Sequence, residues 1–182
     1  MRSRILLVVA AVLSTAGCAT EREPVELPPP APMAVDVAAA SSGGACRLLD
    51  FAVIEQLVKV RFDVAAASER GDTHTCVVRG GRATLPELTL TATETSMDKA
   101  TFVADVVPDS ASKVSGLGEQ AYRRTVGAAD GHGPVAEVGW LSADGRLAVL
   151  RWTTEKGTAK SAAEKVAVQL TALAKKVDTR AL

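Results

Sequence analysis

The chain has 182 residues, with 21 basic and 21 acidic side chains. That balance supplies no net field to draw in nucleic acid or an anionic surface, and aromatics at 3% leave little for stacking bases or sugars. The length beyond the N-terminal segments suits one domain with a usable core, not two.

The N-terminus carries the strongest local signal. Arg2 and Arg4 give a positive start, residues 5–13 are all apolar, and Ser14, Thr15, Ala16 and Gly17 lead to Cys18. The apolar run is far short of the ~20 residues a membrane helix needs, so it reads as a secretion signal over residues 1–17. The small residues ending in a thiol resemble the lipobox of bacterial lipoproteins. That resemblance implies a diacylglyceryl thioether on Cys18, which then becomes the mature N-terminus. Ordinary secretory cleavage, with Cys18 a bystander, is the alternative. Several acyl chains would anchor stably where one holds only marginally, at ~0.8 kcal/mol per buried methylene.

Residues 18–45 read as the lipidated cysteine and a tether, holding Pro24, Pro28, Pro29, Pro30 and Pro32 and then Ser41, Ser42, Gly43 and Gly44. Such a composition is stiff and then loose, and spans roughly 30 Å or more. The domain proper is expected over 46–182. With Cys18 assigned to lipid, Cys46 and Cys76 remain, and an exported protein sits where disulfides persist. A bridge closing that loop contributes about 3–4 kcal/mol in the chain-entropy account. Two free buried thiols are the rival reading. A metal site is poorly supported by the spacing and by only two histidines.

Asp50 reads as the N-cap of a helix over 51–59, with Leu49 and Ile54 as the staple across it. Val60, Phe62 and Val64 alternate as a short strand, and 65–72 reads as a polar loop. In 73–79, His74, Cys76 and Val78 share one strand face. Leu88, Leu90 and Ala92 alternate with threonines in another strand. A helix over 96–106 takes Thr95 and Asp98 as a capping pair and closes at Pro108. Residues 115–118 form a turn into a strand at 119–126, followed by a glycine-rich loop at 127–134.

Residues 135–143 and 146–154 read as a hairpin about a two-residue Asp144-Gly145 turn. This pairs Trp140 with Val149 and Leu141 with Ala148, and both faces are apolar, so the hairpin is central or lines a cavity. The last element is an amphipathic helix over 160–177, capped by Ser161 with Glu164 or by Thr158 one turn earlier. Five or six strands and two or three helices make an α+β fold, an antiparallel sheet with helices packed on it.

Cys46-Arg47-Leu48-Leu49 opening the fold, Cys76 in mid-strand, the run from Val114 through Ser115-Gly116-Leu117-Gly118 to Tyr122, and the alanine-rich last helix form an ordered set. It resembles the small actinobacterial, notably mycobacterial, cell-envelope lipoproteins grouped as a domain of unknown function. The resemblance implies an envelope lipoprotein with an α+β domain, and brings no catalytic residues with it.

Nothing in the residues points to catalysis. Gly116, Gly118 and Ala121 fit the spacing of a dinucleotide-binding turn, but here the turn enters a β-patterned run instead of opening a helix. No nucleophile elbow, phosphate loop or zincin motif is present. Arg123 and Arg124 place one cation on each face of a strand. His74 shares a face with Cys76 and reads as structural. His132, between Gly131 and Gly133, is the one side chain in its loop with a protonation switch near neutral pH. No catalytic residue, metal or cofactor is therefore expected.

The expected role is a non-catalytic module, held to the outer face of the cell membrane through Cys18, that docks onto an envelope protein or cell-wall component. A carrier of a lipid or other apolar ligand is the alternative, and nucleic acid is not an expected partner. The expected docking surface comprises Gly131, His132 and Gly133 with Leu117 of the neighbouring turn, because loops on a rigid sheet carry recognition.

Overall fold

A computed structural model of the protein describes residues 42–182. The signal segment, Cys18 and nearly all of the tether lie outside the described residues. A 3₁₀ turn (Gly44–Leu48) leads into helix α1 (Phe51–Val58). The Asp50 carboxylate accepts the amides of Ala52 and Val53, satisfying donors that the first turn cannot use internally. Leu49 and Ile54, on either side of that cap, are both buried in the core.

Seven strands follow: β1 (Val64–Arg70), β2 (Thr73–Arg79), β3 (Glu87–Glu94), β4 (Ser112–Val114), β5 (Gln120–Val126), β6 (Val135–Leu141) and β7 (Arg146–Thr153). They form one sheet in the order β1-β2-β3-β7-β6-β5-β4, every neighbouring pair antiparallel. The fold is therefore α+β, with seven strands where five or six are expected from sequence.

The two additional strands are both at edges. β1 lies within the stretch expected to be a loop, and the strand expected over 60–64 does not form. β1 turns Ala65 and Ala67 to the core and ends in Ser68, Glu69 and Arg70. Small and charged residues hide its alternation, while Gly71 at φ +57 in a two-residue turn closes the hairpin with β2. β4 is only three residues long, too short to register as a periodic pattern.

The β6–β7 hairpin is present, but its register differs by one residue. Trp140 pairs with Ala148, and Leu141 with Leu147. The loop has three residues, not two. Gly145 donates its amide to the Ser142 carbonyl at 3.2 Å and sits at φ +76, while Ser142 donates to the Arg146 carbonyl at 2.8 Å. This is a type I turn closed by a left-handed glycine, whose extra residue shifts the partner strand by one.

One sheet face carries Cys76, Val78, Leu88, Leu90, Ala136, Val138, Trp140, Leu150 and Trp152 into the main core. Helix α3 (Lys160–Ala174) lies across the β5–β7 side of this face and against α1. Its buried stripe is Ala163, Ala167, Leu170, Leu173 and Ala174, and the small side chains let the helix approach the sheet closely. α3 has no side-chain cap, so neither Ser161 nor Thr158 plays its expected part. A short 3₁₀ turn (Thr179–Ala181) follows.

Residues 95–111 cover part of the opposite face. The helix expected over 96–106 is reduced to α2 (Lys99–Thr101), which runs into a π-helical turn (Phe102–Val106). Asp98 alone caps it, accepting the Thr101 amide at 2.8 Å, while Thr95 accepts the Met97 amide in a local turn. Phe102 drops onto Tyr122 and Leu141 to make a second, smaller core. Over β2 and β3 that face carries Thr73, Thr75, Thr89, Thr91 and Thr93, and Thr73 and Thr93 share a hydrogen bond of 2.9 Å.

Candidate functional site

Cys46 and Cys76 are joined, with Cα atoms 4.9 Å apart, and both are fully buried. The bond ties the 3₁₀ turn to the middle of β2. Cys18 lies outside the described residues.

The loops expected to dock a partner do not meet. Residues 115–118 precede β5 and 127–134 follow it, so the strand's length, roughly 20 Å for seven residues, separates them. Leu117 is 7% exposed and packs in the main core, which corrects its assignment to the docking surface. Its turn is shaped by Gly118, where a Cβ would overlap the Leu141 carbonyl.

Gly133 also differs from expectation. It is buried, and a side chain there would run into the Glu155 carbonyl and the Thr154 hydroxyl. Its amide donates to the Thr154 carbonyl at 3.0 Å, and the Thr154 hydroxyl donates to the Pro134 carbonyl at 2.6 Å. The residue is a glycine because two backbones pass there. Gly131 is exposed at φ +88, and His132 is half-buried, its Nδ1 2.6 Å from the Gly133 carbonyl. The tip at Gly131 is thus open to solvent, while the base is fastened to the end of β7.

Three neighbouring strands bring a charged cluster together on the face opposite α3. Glu137 on β6 is 4% exposed. Its Oε1 accepts the Tyr122 hydroxyl at 2.9 Å and the Arg124 Nε at 2.7 Å, both from β5, and Arg151 of β7 reaches Oε2 at 3.7 Å. Two cations and a phenol compensate the buried charge. Burial and then the Glu137 charge push the Tyr122 phenol well above its ordinary pKa. The Tyr122 ring fills the space over Gly139, its cross-strand partner. The cluster is a closed structural unit, with the carboxylate already satisfied.

At the β6–β7 turn, Arg146 donates to Asp144 at 2.8 Å and to the Thr179 carbonyl at 2.7 Å, and the Thr179 hydroxyl donates to Asp144 at 3.0 Å. Burial disfavours the Asp144 charge, but hydrogen bonds from Ser142, Thr179 and Arg146 outweigh it and hold the carboxyl below its usual range. This group fastens the C-terminal turn to the sheet.

The better candidate for binding is a cleft of about 360 Å³ between α3 and the β4–β5 edge. Arg123, Arg124 and Thr125 form one wall, Lys160, Glu164 and Val168 the other, with Ser110 and Ser112 at the rim. Among the described residues, Arg123 and Lys160 make no ion pair. The sequence places Arg123 and Arg124 on opposite faces correctly, but not their fates. Arg124 is absorbed by Glu137, whereas Arg123 lines the cleft beside α3 and, among the described residues, forms no ion pair. Nothing local points to the cleft, because its walls lie some 40 residues apart in the chain.

No family model, curated protein or solved structure matches this chain significantly. Among the described residues no cluster of metal-ligating side chains occurs, and no helix is long and apolar enough to cross a membrane.

Proposed function

We propose that the protein is an exported lipoprotein, anchored to the membrane through Cys18, whose domain acts as a non-catalytic docking module for an envelope protein or cell-wall component. The observation that carries the reading is the sequence from Arg2 to Cys18: a basic start, an apolar run too short to span, and small residues ending in a thiol. The buried Cys46–Cys76 bond supports it, because such bonds persist in exported proteins. The clefts support docking over carriage of an apolar ligand. The cleft beside α3 and a second one around Asp72, Glu94, Asp144 and Arg146 are both open and lined mainly by charged and hydroxyl side chains, and the core face of the β6–β7 hairpin is packed with apolar side chains.

The test is Cys18→Ser. The variant should leave the membrane fraction or accumulate uncleaved, and mass spectrometry of the wild-type protein should find acyl mass on Cys18. A variant that fractionates with membranes as before, alongside a wild-type protein without acyl mass, would remove the anchor from the proposal.

A further inference from the structure

We infer that the outer edge of β5 beyond Arg123 accepts an extended acidic peptide of a partner protein as an added strand, seated in the cleft against α3. This rests on the docking reading above and names its surface. β4 pairs with residues 121–123 of β5 and stops, while β5 continues to Val126. No hydrogen bond among the described residues closes that side of 124–126. Successive strand residues aim their N–H and C=O groups to opposite sides, so at least one of these three presents both outward. An unpaired edge of this kind is a template for another strand.

The lining of the cleft identifies the edge as its wall. Arg123 and Thr125 project from one sheet face and Arg124 from the other, yet all three line the same cleft. Only the backbone edge of the strand reaches both sides. The opposite wall is α3, where Val168 is 54% exposed and offers an apolar contact to alternate side chains of an incoming strand. A groove between a free strand edge and a helix is a recurring seat for extended peptides, with main-chain bonds giving affinity and side-chain contacts giving selectivity.

Charge selects the occupant. Arg124 is neutralised by Glu137, which leaves Arg123 and Lys160 against Glu164 alone. Cations along an edge repel basic strands and discourage indiscriminate pairing, while an acidic strand supplies the missing counter-charge.

The experiment selects a random heptapeptide library displayed on phage against the full-length chain in mild detergent, then measures the strongest binder by fluorescence anisotropy. The proposal expects acidic peptides with alternating β-branched residues and amide shifts in the protein at residues 124–126. It expects at least tenfold weaker binding to the Arg123→Glu, Lys160→Glu double variant. Both side chains reach solvent, and Glu at position 160 suits a helix N-terminus, so this variant should fold. A peptide N-methylated at alternate amides, with unchanged side chains, should also lose at least tenfold. Failure of any peptide to enrich, undiminished binding by the double variant, or equal binding of the N-methylated peptide would overturn the proposal, the last meaning charge capture without strand addition. Peptides that shift resonances elsewhere would overturn the edge site and leave the docking reading intact. Absence of acyl mass on Cys18 would remove the anchored reading without touching the edge.

Discussion

Tyr122 and Glu137 show how a single contact decides a residue's chemistry. The tyrosine sits opposite Gly139 and donates to a carboxylate that the sheet has buried. Ionising the phenol would place two negative charges on one hydrogen bond. Tyr122 is the only tyrosine in the chain, so the phenolate absorbance reports it alone. No phenolate should appear as pH passes ~10, the ordinary value, until the protein unfolds. Because the folded pKa is raised, the stabilisation is fully present below ~10 and is lost as pH climbs toward the folded value. Tyr122→Phe should abolish this alkaline sensitivity and lower stability by about 1.5–3 kcal/mol, the range for a hydrogen bond to a charged group. A normal titration near pH 10 in the folded protein would contradict the arrangement.

At the scale of elements, glycines separate what looks like a mobile loop from what is fastened. Within 127–134, Gly127 has open space around it and needs no special backbone, whereas a Cβ at Gly133 would overlap the Thr154 hydroxyl and the Glu155 carbonyl. Gly127→Ala should leave the melting temperature unchanged or slightly raised. Gly133→Ala should cost about 1–3 kcal/mol, as overpacking does, and thermal denaturation of the two variants side by side checks it. Shortening the loop through Gly133 would therefore disturb the fold as well as any contact, so a docking role for the tip is better probed at Gly131 and His132.

At the scale of the molecule, the disulfide joins the helical layer to the sheet. Its loop of 30 residues corresponds to a stabilisation of about 3–4 kcal/mol by chain entropy. The Cys46→Ser, Cys76→Ser double variant should lose about that much in urea unfolding. Cys46 and Cys76 of the wild-type protein should resist alkylation in the native state and link their two peptides in a non-reducing map. Alkylation of native protein at both positions would overturn the pairing.

What the sequence determined by itself is local. The Asp50 cap, the alternation in β2 and β3, and the alanine–leucine stripe of the last helix are each written within a few residues, where the period of burial is visible. The α+β class follows from their order. The β6–β7 register was decided by tertiary structure, because one extra turn residue moves every partner and the Asp144-Gly145 pair suits either loop. The existence of β1 was decided there too, since Ala65 and Ala67 are apolar enough only once β2 is beside them. The same holds for Leu117, drawn into the core by a turn that its sequence marks as exposed. The cleft is the clearest case: Arg123 and Arg124 look equivalent in the chain and part ways only when β6 brings Glu137 under one and α3 brings Lys160 beside the other. Pairings between distant segments depend on the free energy of the whole arrangement, and no window of neighbouring residues contains it.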